Sequence, residues 1–277
     1  MNLEHSARRR NSVAPRVLRI LHNVVRRLMH RGERGLFLIG ELVSVFGRGF
    51  VASRWRRTMR EEFAGYLYEV GLRAVPAVVV IALLVAIGLV LQILYWLGYA
   101  GQQGRIGEFL VLALVRQIAP LFTALVVIGR SGAALVDEVG QLAVSGHLRL
   151  LESCGIDPVD LLVIPRCFAT ALATLLLTLV FLHTALWSGY VAASVAGVTK
   201  LGAGEFIGDV FGTMSLADHA VLFTKPLLTG FAVAYISIRL GMRANRRLHG
   251  IRKALPQAFM LSLLATFLIN TLLSSAF

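Results

Sequence analysis

The chain has 277 residues, 57% of them hydrophobic and 16% charged, with a mean hydropathy of +0.73. That composition excludes an ordinary soluble domain and marks an integral membrane protein. The net charge of +13 does not signal nucleic acid, because the basic residues crowd at the N-terminus and in one later loop while the rest of the chain is apolar.

Fifteen arginines precede residue 74. The apolar residues after Arg8, Arg9 and Arg10 are interrupted by arginine every few positions, so no cleavable signal peptide is expected and the N-terminus is expected to stay cytoplasmic. Within this region, VLRILHNVVRRLM (17–29) repeats Val17, Ile20, Leu21, Val24 and Leu28 at helical spacing, opposite Arg19, Arg26 and Arg27. The period predicts an interfacial amphipathic helix lying in the headgroup layer; a basic tail that only sets topology explains the charge but not the period. Residues 1–73 are therefore read as a basic cytoplasmic and interfacial region, and 74–277 as the membrane domain.

A spanning helix needs about 20 mostly apolar residues. Five stretches qualify: 74–97, 107–128, 161–193, 219–242 and 254–277. The third exceeds one crossing and is expected to begin inside the cytoplasmic face at Ile164 and Pro165 and to tilt. Lys/Arg excess marks cytoplasmic loops. The N-terminal region and GMRANRRLHGIRK (241–253) therefore share the cytoplasmic side, while GYAGQQGR (98–105) and VTKLGAGEFIGD (198–209), with one basic residue each, face the other way. The C-terminus is then expected outside. Between the second and third spans, Leu135, Val139, Leu142, Leu148 and Leu151 fall near helical spacing, interleaved with Asp137, Glu138, His147, Arg149 and Glu152. One or two short amphipathic helices in the cytoplasm are predicted, covering the protein's own inner surface or offered to a partner.

Cys154 and Cys167 show neither metal-ligand spacing nor a disulfide framework. Arg116 and Gln117 lie about ten residues into the second span, near its middle by a 1.5 Å rise. A central arginine costs at least about 2.5–3.5 kcal/mol to insert, so it must face protein or a wet cavity. Pro120 cannot donate to the carbonyl of Arg116 four residues back, and its ring pushes that carbonyl aside, which opens the helix at the polar pair. Two readings follow: a cavity lining that grips a phosphate with the guanidinium fork, or an arginine that ties helices together through backbone carbonyls. Lys225, beside Pro226, lies about 10 Å below the outer face, where it either snorkels outward or turns inward as a second headgroup contact. His183 and Asn270 are read as helix-packing residues.

The run VRQIAPLFTALVVIGRSGAALVDEVGQLAVSGHLRLLESCGIDPVDLLVIPRCFA (115–169) carries Arg116, Gln117 and Pro120, then Gly129, Arg130 and Gly132, then Glu138 and Gly140, then Gly155, Ile156, Asp157 and Pro158, then Pro165 and Arg166. In this order and spacing it resembles the central signature of the MlaE (YrbE) permease family, the membrane subunits of MCE-type ABC lipid transporters. Gly71, Pro76, Gly88 and Gln92 around the first span, and Lys225 in the fourth, extend the resemblance over most of the chain from about Leu36. It departs from the family at SGHLR (145–149) and IRKALPQAF (251–259), which bear on ATPase docking and on the last span.

The resemblance implies a homodimeric permease of the bacterial inner membrane that moves phospholipid to or from a periplasmic MCE-domain lipid-binding protein. It implies a cytoplasmic coupling helix over about 137–152, with Asp137, Glu138, Leu142, Leu148, Leu151 and Glu152 contacting a separate ATPase subunit. Arg116, Gln117, Pro120, Lys225 and Gln92 are the implied substrate contacts. No GxxxxGK[ST] occurs in the chain, so no catalytic residue and no cofactor is expected here, and ATP and Mg are expected on the partner. A secondary transporter or channel for another amphipathic or anionic solute is the alternative, but paired acids or inverted repeats within the spans are lacking. A membrane enzyme would need HExxH or paired carboxylates, which are also lacking.

Overall fold

The structure is a computed structural model that describes residues 57–101, 106–155, 157–195, 197, 202–243 and 248–276, together with isolated positions between 40 and 48. The chain divides into two compact units, Met1–Phe50 and Val51–Phe277, and the second holds every element described below. The interfacial helix expected over 17–29 lies outside the described residues. Among the described residues the protein is all α, with five helical runs long and apolar enough to cross a membrane.

Helix α1 (Arg57–Val70) leads through a 3₁₀ turn (Leu72–Ala74) into α2 (Val75–Tyr99), so the first run is 43 residues long. Pro76 stands in the first turn of α2, where no N–H is required. Val78, Ala82, Ala86, Val90 and Leu94, four residues apart, form the buried stripe of α2, and Val80, Leu84, Tyr95 and Trp96 are exposed.

The second run is where the structure departs most from the sequence-based expectation. A helix of about 22 residues followed by a separate cytoplasmic helix was expected; instead one run extends over Ile106–Val144, 39 residues. It consists of α3 (Ile106–Leu110), a π-helical segment (Val111–Ile118), α4 (Ala119–Val127), a second π-helical segment (Ile128–Gly132) and α5 (Ala133–Val144). The glycines of GRSG do not break the helix. They widen it by one π turn, and the chain breaks only at Gly146, whose φ of 83° is open to glycine at little cost. Helix α6 (His147–Ser153) follows, none of its residues fully buried.

After a turn in which Asp157 Oδ1 accepts the Val159 N–H at 2.9 Å, a π-helical segment (Val159–Val163) opens α7 (Ile164–Val195). The third crossing is therefore long, as expected. Helix α8 (Ala203–Gly212) occupies a stretch read from sequence as loop; Phe206 and Val210, four residues apart, are its buried anchors. Helices α9 (Leu216–Met242) and α10 (Leu248–Ala276) complete the fold.

Helices α7 and α9 are central: 67% and 72% of their most apolar windows are buried, against 28% in the first run and 17% in the last. α7 packs on α1, α2 and α9, and α9 packs also on α5 and α10. In a lipid solvent such crossings depend on close approach rather than on expelling water. A Cβ added to Gly230 would lie 2.8 Å from Thr174 Cβ and 2.9 Å from Ala171 Cα, and one on Gly189 would lie 3.0 Å from Val90 Cβ. These glycines set how near α9 and α2 come to α7. Gly230→Leu is accordingly expected to cost about 1–3 kcal/mol or more through overpacking, measured as a lowered unfolding temperature in detergent. Gly88→Ala, where nothing lies within 4 Å of the added methyl, should leave that temperature unchanged or slightly raised.

Candidate functional site

The polar residues inside the bundle gather where the second run, α9 and the end of α10 meet. Pro120 is buried and lacks an N–H, and the segment before it is π-helical, so the Arg116 carbonyl has no helical donor from position 120. Lys225 supplies one, its Nζ donating to that carbonyl at 2.7 Å. The lysine does not snorkel outward: it turns inward and is 1% exposed.

Three further contacts join this lysine to its surroundings. Lys225 Nζ also donates to Ser274 Oγ on α10 at 2.7 Å, and Gln117 Nε2 donates to the same oxygen at 2.9 Å. Asn270 Nδ2 donates to Gln117 Oε1 at 2.9 Å. Asn270 thus belongs to the site, where the sequence had suggested general helix packing.

The Arg116 side chain is half-buried, 26% exposed, and its Nε donates to Asp218 Oδ1 at the start of α9. Asp218 Oδ2 accepts from both the backbone N–H and the hydroxyl of Ser215 at 2.8 Å, closing a capping box on α9. Of the two sequence readings for Arg116, the tie between helices is visible, although the partner is a carboxylate and not a carbonyl. Asp218 stands one residue before the fourth span expected from the sequence, 219–242. The Ser215-x-x-Asp218 spacing ahead of an apolar run was the signal that placed it on a helix. The cluster also lies toward one end of the bundle, with Asp218 in the first turn of α9 and Ser274 in the last turn of α10, rather than at mid-span.

Gln92 lies exposed on α2 and makes no hydrogen bond to this cluster among the described residues. The residues read as a coupling helix divide between two elements. Asp137, Glu138 and Leu142 belong to α5; Leu148, Leu151 and Glu152 belong to α6, whose Leu150 is 64% exposed. Asp137 accepts from Gln141 on its own helix at 2.9 Å, and Leu142, Leu148 and Leu151 are half-buried.

Glu138, although 47% exposed, is engaged by its own protein. It accepts from the Tyr66 hydroxyl on α1 and, at 2.9 Å, from Arg166 Nη2 on α7. Arg166 is 3% exposed, its guanidinium carbon lies 4.3 Å from the Tyr66 ring centroid, and Glu62 stands at 3.7 Å. Carboxylates and an aromatic face together make a buried cation tolerable. This second cluster clamps α1, α5 and α7; the sequence had singled out Glu138, Pro165 and Arg166 but not their contact with one another.

Comparison with known proteins adds an independent line. Residues 63–276 match the family described as Permease MlaE. A probable ABC transporter permease protein, slr1045, from Synechocystis sp. is 32% identical over 176 residues, 64% of this chain and 66% of that protein's length. Protein TRIGALACTOSYLDIACYLGLYCEROL 1, chloroplastic, from Arabidopsis thaliana is 26% identical over 247 residues, 89% of this chain and 68% of its own. The intermembrane phospholipid transport system permease protein MlaE of Haemophilus influenzae is 24% identical over 233 residues, 80% of this chain and 82% of its own. The chain thus spans just under two thirds of the Synechocystis relative and slightly more than two thirds of the Arabidopsis one.

The Arg116–Asp218 pair makes a thermodynamic prediction. Removing one partner of a buried pair costs about 3–5 kcal/mol, and partial exposure of Arg116 places this one at or below the lower bound. Asp218→Leu alone should therefore destabilise the detergent-solubilised protein more than Arg116→Leu combined with Asp218→Leu. A double-mutant cycle of unfolding temperatures, completed by Arg116→Leu alone, checks it; a loss in the double variant equal to the sum of the two single losses would show that the pair carries no coupling.

Proposed function

The chain belongs to the MlaE permease family, and we propose that it is the membrane-spanning subunit of an ATP-driven phospholipid transporter. In this reading it works as a homodimer in a bacterial inner membrane, exchanging phospholipid with a periplasmic MCE-domain carrier. A separate ATPase subunit binds ATP and Mg and hydrolyses the nucleotide. Neither catalysis nor a cofactor is assigned to this chain.

The observation that carries the proposal is the continuity of Ile106–Val144. A single helical run bears Arg116 and Gln117 near one end and α5 at the other, with α6 attached through Gly146. Charge asymmetry supports an N-terminus in the cytoplasm and a C-terminus in the periplasm, which puts α6 on the ATPase side and Arg116, Asp218 and Lys225 toward the periplasmic leaflet. A shift imposed on α6 by nucleotide binding is then delivered along one helix to the polar cluster. There the guanidinium of Arg116, with Gln117, Pro120 and Lys225 shaping its surroundings, meets the phosphate of a lipid headgroup. Gln92, exposed on α2, reaches lipid or the second protomer from outside the cluster.

Docking through α6 rests on its apolar residues, because Glu138 is held by Arg166 and Tyr66. Leu148→Asp should weaken capture of the ATPase subunit about thirtyfold, the effect of losing about 2 kcal/mol at an interface anchor, with the solubilised permease still folded. A pull-down with the co-expressed ATPase decides it, and unchanged capture would overturn the docking assignment.

Orientation is checked separately with an impermeant thiol reagent on intact cells. A cysteine at Gly204→Cys should react and one at Asn245→Cys should not; the reverse pattern would invert the topology and with it the placement of α6.

A further inference from the structure

The Gly-Arg-x-Gly stretch at 129–132 belongs neither to the polar cluster nor to α6. Its Arg130 is exposed, stands in the second π-helical segment, and makes no hydrogen bond or ion pair among the described residues. With Ser131, Tyr66, Glu69 and Glu138 it lines a cleft of about 70 Å³ between α1 and the second run. Ser131 is 5% exposed, and its hydroxyl also has no partner among the described residues. Thr123 on the same run, by contrast, returns its hydroxyl to the Ala119 carbonyl at 2.7 Å. An open guanidinium beside an idle, buried hydroxyl offers donors without an acceptor, and π turns of this kind are frequent at functional sites.

The two carboxylates of the cleft are held unequally. Glu138 is bound by Arg166 and by the Tyr66 hydroxyl, while Glu69 has a 3.5 Å contact to Arg73 in which both side chains are more than half exposed. A pair so exposed is worth little, so Glu69 stays open to another cation. The cleft also stands where headgroups lie. Arg130 is two residues past the apolar stretch 107–128, and α1 ends just before the first apolar stretch, so both walls leave the hydrocarbon at one face whichever way the chain is oriented. The volume is room for a few waters or for the polar atoms of a headgroup that displaces them, with the acyl chains left in the bilayer.

We propose that this cleft binds the zwitterionic headgroup of a bilayer phospholipid, with phosphatidylethanolamine the chemistry that fits it. Arg130 and Ser131 donate to the phosphate, and Glu69 accepts from the ammonium. Phosphatidylglycerol brings the same phosphate but no cation for Glu69. The bound lipid joins α1 to the second run beside the Tyr66–Glu138–Arg166 contacts. This site is separate from the polar cluster at Arg116 and does not depend on the transport reading.

The test uses the full chain in its native assembly, reconstituted in vesicles of equal phosphatidylethanolamine and phosphatidylglycerol with a trace of one or the other carrying a photoreactive group beside its phosphate. Labelled peptides are identified by mass spectrometry, and label on α1 and residues 128–135 is read as a share of all label on the chain. In wild type the phosphatidylethanolamine probe should give about threefold the share of the phosphatidylglycerol probe. Arg130→Gln should lower the phosphatidylethanolamine share about tenfold, and Arg130→Lys and Ser131→Ala about threefold each. Should Arg130→Gln fail to assemble, Ser131→Ala, which removes a single oxygen, decides alone. An unchanged share in these variants would overturn the site, and equal shares for the two probes would overturn the zwitterionic ligand. Labelling should persist in millimolar inorganic phosphate; its loss there would identify a site for the free ion and overturn a lipid. The transporter reading is decided separately, because none of these variants touches Arg116 or α6.

Discussion

A proline inside a membrane-spanning helix withholds one N–H where no water can replace it, and much of this fold is arranged around such a point. Pro120 cannot donate to the Arg116 carbonyl, and Lys225 on α9 does. A lysine that reaches a carbonyl on another helix cannot snorkel, so its charge is carried indoors. That in turn requires the second acceptor, Ser274, at the end of α10. One missing N–H thus fixes the second run, α9 and α10 against one another at a single point. Because α10 is otherwise the least buried of the long helices, these hydrogen bonds are its main anchorage at that end.

The opposite end of the bundle solves a related problem differently. Arg166 is nearly fully buried, but it is surrounded by Glu138, Glu62 and the face of Tyr66, so the charge is neutralised where it stands. The consequence is mechanical. Glu138 belongs to α5, which continues the second run, and its contacts secure that run to α1 and α7. Close approach at Gly140, where an added Cβ would lie 2.9 Å from Ile251, holds α5 to α10 as well. The run Ile106–Val144 is therefore clamped at both ends and suited to move as one body.

What could be read from the sequence was whatever depends on composition over a window or on the covalent structure of one residue. The five spans follow from hydropathy, although the second continues well past its expected end at 128, to Val144. The change in bonding at Arg116 follows from proline having no N–H, and its carbonyl accepts from Lys225. What could not be read depends on distant partners. Asp218 pairs with Arg116 across 102 positions and Tyr66 with Glu138 across 72, and no local pattern carries either fact. Helix α8 was hidden by its glycines, although Phe206 and Val210 stand at helical spacing. The continuity through GRSG was misjudged because glycine is a helix breaker in water, where a solvated backbone competes. In a bundle without that competition, a π turn is the cheaper answer.

The difference between α5 and α6 decides where flexibility resides. α5 buries Leu135, Val136, Val139 and Gly140 against the bundle, while α6, seven residues long, buries none and is joined through Gly146 in the left-handed region. So short a helix is not stable by itself in water, and few internal contacts hold this one. An element of this kind gains most of its order from whatever it binds, so its free energy of ordering is coupled to that binding. The rigid run behind it then passes on displacement with little loss. A soft element fixed to a clamped helix is an arrangement in which a displacement at one end can be felt at the other, 30 or more residues away along the same chain.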